Sequence, residues 1–243
     1  MGPTAAGKTD AALRIADAVD VDLVSVDSAM VYRRMDIGTA KPAKDVLSRH
    51  PHALIDILDP DEAYSAARFV ADADEHVRQA LDRGRIPVLV GGTMLYFRAF
   101  KFGLNELPEA DAALRAKIAA RGGELGWPTL HRELEQRDPI AAARIDPNNG
   151  RRIQRALEVL ELTGRPLGSW WDEPSSSARE RLGASLFEVA IVPRERGELH
   201  ARVDRRLSTM LARGLVDEVR ALRADPALSV DLPSMRAVGY RQV

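Results

Sequence analysis

Met1-Gly2-Pro3-Thr4-Ala5-Ala6-Gly7-Lys8-Thr9 opens the chain. Gly2, Gly7, Lys8 and Thr9 fit G-x-x-x-x-G-K-[ST], the P-loop pattern. The spacing serves anion chemistry. A glycine-containing turn lets backbone N–H groups converge on a phosphate. Lys8 adds a positive charge, the Thr9 hydroxyl suits a Mg²⁺ ion, and the helix that follows points its positive dipole end at the same anion. Gly2, Pro3, Thr4, Ala5, Ala6, Gly7, Lys8 and Thr9 are therefore the expected phosphate-binding loop. The bland alternative is a glycine turn that opens a helix. The pattern ordinarily follows a strand; here Met1 alone precedes it.

Working outward, residues 9–19 have helical spacing, with Leu13, Ala16 and Val19 near one face. Residues 21–26, Val-Asp-Leu-Val-Ser-Val, read as a short strand that ends at Asp27-Ser28. Ligands of open α/β sheets sit beyond the carboxyl ends of the strands, which puts Asp27 beside the loop. Three roles stay open for it: turn former or cap, Mg²⁺ ligand, or general base. Residues 30–42 are a polar loop, 52–58 a strand, 64–83 a helix with Phe69, Val77 and Leu81, and 86–93 a strand running into the Gly91-Gly92 turn. Strand, helix, strand at this spacing predicts βαβ units and a parallel sheet.

From 105 to 185 the strands stop, and short helices follow between Pro and Gly breaks. Leu114 and Ile118 mark one helix and Leu130 and Leu134 another. The longest runs 149–163 on Ile153, Leu157 and Leu160, ended by Gly164 and Pro166. Strand character returns at 186–192, and a helix over 197–213 is expected to bury Leu199, Val203, Leu207 and Met210. The fold class that follows is α/β. A P-loop NTPase-like, three-layer parallel-sheet core is formed by 1–104 and 186–243, with an all-helical insertion at 105–185.

Two arginine groups need an explanation. Arg151, Arg152 and Arg155 lie at the start of the 149–163 helix, where cations oppose the dipole. A bound phosphate would offset that, as would a partner such as Glu158. Arg202, Arg206 and Arg213 fall on one stripe of the 197–213 helix and read, by spacing alone, as a solvated face.

Composition is that of an ordinary soluble protein, with 45% hydrophobic and 29% charged residues in 243. No apolar run is long enough to cross a bilayer, and no signal peptide is visible, so a cytoplasmic protein with no membrane partner is expected. The net charge of −1 announces no nucleic-acid partner. Arginine outnumbers lysine 30 to 5. Guanidinium suits bidentate phosphate recognition, but a GC-rich genome explains the bias as well. The absence of cysteine excludes disulfides and thiolate metal sites, and the 5 histidines show no metal-ligand spacing.

Seven stretches together resemble one family, the bacterial tRNA dimethylallyltransferases, also called tRNA isopentenyltransferases. They are GPTAAGKT (2–9), SVDSAMVYRRMDIGTAKP (25–42), HALID (52–56), LVGGTMLYF (89–97), DPNNGRRIQRALEV (146–159), HARVDRRLSTML (200–211) and LPSMRAVGYRQ (232–242). The resemblance spans the chain, and IGTAKP and VGGTMLY are more specific than the P-loop. It implies transfer of a dimethylallyl group from dimethylallyl diphosphate to the exocyclic amine of the adenosine 3′ of the tRNA anticodon. The loop would then hold a prenyl diphosphate, with Lys8, Thr9, Mg²⁺ and Arg202 stabilising the leaving group and Asp27 taking the amine's proton. By the same match Asp27, Ser28, Ala29, Met30, Thr93, Arg115, Arg151, Arg152, Ile153, Gln154, Arg155, Arg236, Gly239, Tyr240, Arg241 and Gln242 fall at tRNA-contacting positions. Met30 departs from a position where relatives often carry glutamine, and the family usually continues with a helix after Gly239-Tyr240. A monomer is expected.

Three rival functions share some of these features. An adenylate isopentenyltransferase needs no helical insertion to clamp a stem. A P-loop nucleotide or shikimate-type kinase calls for a strand ending in Asp, whereas 86–90 runs into Gly91-Gly92. A GTP-dependent switch calls for Asn-Lys-x-Asp, which the sequence lacks.

Overall fold

The computed structural model describes residues 1–105, 107–171, 173 and 175–243. The chain divides into two compact units, Met1–Gly103 with Ser176–Val243, and Leu104–Ser175.

The first unit is α/β. Three parallel strands, β1 (Val21–Val26), β2 (His52–Ala53) and β3 (Ile86–Gly91), form one sheet in the order β2-β1-β3. β1 and β3 run in register from Val21–Ile86 to Val26–Gly91. Four helices accompany them: α1 (Lys8–Ala18), α2 (Lys44–Arg49), α3 (Ala66–Asp82) and α4 (Met94–Phe102). Alternate residues of a strand face opposite sides, and β1 uses both. Val21 and Leu23 pack with Ala12, Leu13 and Ala16 of α1, whereas Val24 and Val26 join the larger cluster containing Phe69, Ala73 and Val77 of α3. One helix thus covers each face, which explains why these strands read as near-continuous apolar runs.

The second unit carries α5 (Ala112–Leu125), α6 (Trp127–Arg137), α7 (Pro139–Ala142), α8 (Gly150–Thr163) and α9 (Leu167–Trp170). Their apolar stripes meet in a core of Ile118, Leu130, Leu134, Ile153 and Leu157, as the spacing predicted. Asp111 and Asn149 cap α5 and α8, and Gly164 ends α8 in the left-handed conformation. The first unit then resumes with α10 (Ala178–Leu182), α11 (Arg196–Ala212) and α12 (Leu215–Arg223).

Four expectations are corrected. The strand over 52–58 is only two residues long. Leu54 and Asp56 adopt positive φ, and the chain instead turns to bond Met30 and Val31 through the amides of Asp56, Ile57 and Leu58. The expected strand over 186–192 forms no strand; among the described residues its backbone bonds only Met1, by Met1 N to the Val189 carbonyl and Ile191 N to the Met1 carbonyl. One neighbouring residue cannot make a ladder. The side of α11 read as buried is largely not: Val203 and Leu207 are exposed, and α12 supplies the core residues Leu215, Val219 and Leu222. Finally, the helical segment ends at Ser175, not 185. α10 belongs to the α/β unit, where Arg181 grips the buried Asp74 at 2.7 Å and the Phe100 carbonyl at 2.7 Å.

Candidate active site

The loop 2–7 turns tightly and hands over to α1 at Lys8. Gly7 is the residue before the helix and has φ of +88°, a left-handed conformation open to glycine at little cost. The Ala6 amide bonds the Pro3 carbonyl at 3.3 Å, and the Lys8 ammonium folds back onto the same carbonyl at 2.7 Å. Burial pushes the Lys8 pKa below its ordinary value; Asp27 opposes the shift and Arg206 reinforces it. These three charged groups therefore share one electrostatic neighbourhood.

Asp27 follows the last residue of β1. Its Oδ1 accepts the amides of Ala29 at 2.9 Å and Met30 at 3.2 Å, which fixes the carboxylate and the turn together. The turn-forming role is thus observed. Beside it, the Val26 carbonyl takes the amides of Gly92 and Thr93, both at 3.2 Å. The Thr93 hydroxyl accepts the Ser28 amide at 3.1 Å. This closeness is why position 91 is glycine: a Cβ there would lie 2.0 Å from the Val26 oxygen. The Gly91-Gly92 turn thereby brings the ends of β1 and β3 against the loop, with Gly92 beside Lys8.

The arginine that faces this cluster is Arg206. It is partly buried, its pKa is lowered by that burial, and Asp27 opposes the shift. Its Nη2 donates to the Thr39 carbonyl at 3.4 Å. Arg202, one turn earlier on α11, pairs instead with Glu198 at 3.7 Å in solvent. Helical periodicity placed Arg206 on the same stripe as Arg202, but which of the two is partly buried in the field of Asp27 was not distinguishable by spacing.

The positions matched to tRNA contacts divide sharply. In the helical unit Arg151 and Arg152 are exposed. Arg115 and Arg155 instead clasp Glu158, which is fully buried, at 2.9 and 2.7 Å. Burial raises the Glu158 pKa, but the hydrogen bonds from Arg115, Arg155 and the Asp111 amide outweigh it and hold the carboxyl below its ordinary range. Gln154 donates to the Arg115 carbonyl at 2.7 Å, and Ile153 is a core residue, not a surface group. In the tail, Arg241 and Gln242 are exposed, Gln242 accepts the Gly239 amide, and Arg236 pairs with Asp231. Tyr240 is likewise not a surface group: it is buried and donates to Glu218 at 2.5 Å.

Among the described residues no group of three or more His, Cys, Asp or Glu is arranged to hold a metal. The side chains whose oxygens suit Mg²⁺ by type are Thr9, in the first turn of α1, and Asp27, just after β1. This sparse donor set fits an ion that takes the rest of its shell from phosphate and water.

The chain is similar to known proteins along nearly its whole length. The family model "IPP transferase" matches residues 30–243. The tRNA dimethylallyltransferase of Alkalilimnicola ehrlichii is 55% identical over 243 residues, covering 100% of this chain and 75% of the relative. Among solved structures, the full-length tRNA isopentenylpyrophosphate transferase from Bacillus halodurans aligns with a TM-score of 0.65 at 38% identity, over 99% of this chain and 73% of that one. A eukaryotic dimethylallyltransferase described as acting on tRNA shares the fold, with a TM-score of 0.74 at 24% identity over 92% of this chain and 54% of that one. The α/β unit with its small parallel sheet matches those of the solved tRNA isopentenyltransferases, and the chain belongs to the IPP transferase family.

Proposed function

We propose that the chain transfers a dimethylallyl group from dimethylallyl diphosphate to the exocyclic amine of the adenosine 3′ of a tRNA anticodon, releasing diphosphate. The observation that carries this reading is the placement of Asp27, fixed just after β1 by the Ala29 and Met30 amides, at the sheet end where Gly92 lies against Lys8, with Lys8 and Arg206 both within electrostatic reach of it. An allylic diphosphate breaks its C–O bond readily when the charge developing on the leaving group is met by fixed donors. Lys8, Arg206 and the amides at the start of α1 supply them, and Arg202, one turn from Arg206 on α11, adds charge to the same face. The adenine amine is a poor nucleophile because its lone pair is spread into the ring. As its nitrogen bonds the allylic carbon, its proton passes to the Asp27 carboxylate, and the bond electrons of the C–O link leave with diphosphate.

The Thr9 hydroxyl would hold a Mg²⁺ ion, which would supply Lewis-acid stabilisation to the leaving group. The acceptor base must leave its stack to reach such a site. Arg151 and Arg152 on the helical unit, and Arg241 and Gln242 in the tail, offer exposed groups to the tRNA backbone. In this reading the first unit is a P-loop-type core and 104–175 is its RNA-binding insertion, acting as a monomer.

Incubation of the protein with tRNA and dimethylallyl diphosphate, followed by mass spectrometry of nucleosides, tests the proposal. A gain of one dimethylallyl group on adenosine is expected. ATP-dependent phosphorylation in its place would support the kinase alternative and overturn it.

A further inference from the structure

We infer that Glu218 is a positioning residue for this reaction: it locks the loop 36–41 to the helical hairpin that carries Arg206, and so sets where that guanidinium stands. The inference rests on the function proposed above. Glu218 reaches across from α12 and makes an unusual set of contacts. Its Oε2 accepts the amides of Asp36 at 2.9 Å and Ile37 at 2.8 Å, and its Oε1 accepts those of Ile37 at 3.1 Å and Gly38 at 3.0 Å. The Tyr240 hydroxyl donates to Oε1 as well.

All these partners are donors, so the position needs a group that only accepts. A carboxylate meets that need, and a carboxamide would turn an NH₂ toward donors. The far end of the loop is fastened too. The buried Lys41 donates to the Tyr32 carbonyl at 2.5 Å and to Asp36 and Asp56 at 2.7 and 2.5 Å. The Thr39 hydroxyl donates to the Met35 carbonyl at 2.6 Å.

Between these anchors lies the Thr39 carbonyl, which accepts from Arg206. α11 and α12 are consecutive helices joined at Gly214. One hairpin thus grips one loop twice, through Glu218 and through Arg206. A free arginine side chain samples many rotamers, and freezing it costs conformational entropy. Prior fastening of its partner carbonyl leaves less of that cost to the reaction.

The test is a double-mutant cycle with Glu218→Gln and Arg206→Ala, read by steady-state kinetics with dimethylallyl diphosphate and tRNA and by calorimetry with inorganic diphosphate. Glu218→Gln should lower kcat at least tenfold with KM for tRNA unchanged. The same substitution in the Arg206→Ala background should change kcat less than twofold, because its effect runs through Arg206. A full, multiplicative loss in both backgrounds would reduce Glu218 to a purely structural role, as would a folded Glu218→Gln protein with wild-type kcat. Should Glu218→Gln fail to fold, Tyr240→Phe removes one donor to the same carboxylate. Its smaller loss in kcat should likewise vanish beside Arg206→Ala, and persistence or absence of that loss overturns the inference. A wild-type protein that neither binds diphosphate nor prenylates tRNA would overturn the proposed function itself and this role with it, whereas an active wild type with multiplicative variants overturns the role alone.

Discussion

Lys8 places its ammonium 2.7 Å from the carbonyl of Pro3, so the cation of the loop is tied to the loop's own backbone. Burial holds its pKa below the ordinary lysine value of 10.5. Two effects on diphosphate binding follow. Lys8→Ala should weaken the affinity for inorganic diphosphate at least tenfold by calorimetry. In addition, a lowered pKa means that the proton leaves at a pH below 10.5. Wild-type affinity should therefore fall toward that of Lys8→Ala as pH rises through the lowered pKa, and the gap should be full below it. Comparison with the variant at each pH removes the titration of diphosphate itself. Equal affinities near neutral pH would take Lys8 out of the anion site.

The close approach of Gly91 to Val26 makes a second prediction. A methyl group 2.0 Å from the Val26 oxygen must push β1 and β3 apart at the end that carries Asp27 and Thr93. Gly91→Ala should cost on the order of 2 kcal/mol by denaturant unfolding, within the range of overpacked sites, and should lower activity further. Gly123→Ala is the contrasting case. Gly123 sits inside α5 with no atom within 4 Å of a new Cβ, so the change should stabilise the helical unit by about 0.5–1 kcal/mol. All three tryptophans, Trp127, Trp170 and Trp171, lie in that unit, and their fluorescence reports on it.

The parts of this architecture legible in the sequence were those written in local pattern. The helix that opens at Lys8, the apolar run of β1 and the stripe Ile153-Leu157-Leu160 each reflect a pattern set by one element. What escaped was set by distant partners. Leu54 and Asp56 looked like strand residues, and their turn depends on hydrogen bonds to Met30 and Val31. Val203 and Leu207 have the spacing of a buried face, but burial depends on what lies opposite. Arg202 and Arg206 differ by one turn, and their partners differ: Arg206 donates to the Thr39 carbonyl and Arg202 pairs with Glu198. Arg155 was legible in part, since Glu158 stands three residues on; the contribution of Arg115 from another helix was not.

That last pairing divides the arginines by experiment. Arg115→Ala removes a charge-assisted hydrogen bond to the fully buried Glu158. It should destabilise the helical unit by about 1.5–3 kcal/mol, seen as a lower tryptophan unfolding midpoint. Arg151→Ala and Arg152→Ala should leave that midpoint unchanged. Each should instead reduce the salt dependence of tRNA binding by about one unit of log–log slope, because one phosphate contact is lost. Unchanged salt slopes would return Arg151 and Arg152 to an ordinary solvated surface.

Asp27 carries the most specific prediction. Its carboxylate is aimed by two backbone amides through a single oxygen, Oδ1, and it lies in the field of Lys8 and Arg206. Asp27→Asn keeps the size of the side chain and its acceptance of the Ala29 and Met30 amides, so the turn should survive. The amide cannot take the proton that leaves the adenine amine as the new C–N bond forms. General-base catalysis is worth about 10² to 10⁴ in rate. The variant should therefore lose kcat by roughly that factor while binding tRNA and prenyl diphosphate as the wild type does. A metal ligand would behave differently: near-wild-type turnover restored by raised Mg²⁺ would assign Asp27 to the ion and remove it as the base. A fall in tRNA affinity that matches the fall in rate would instead make its hold on the Ala29–Met30 turn the only role it has.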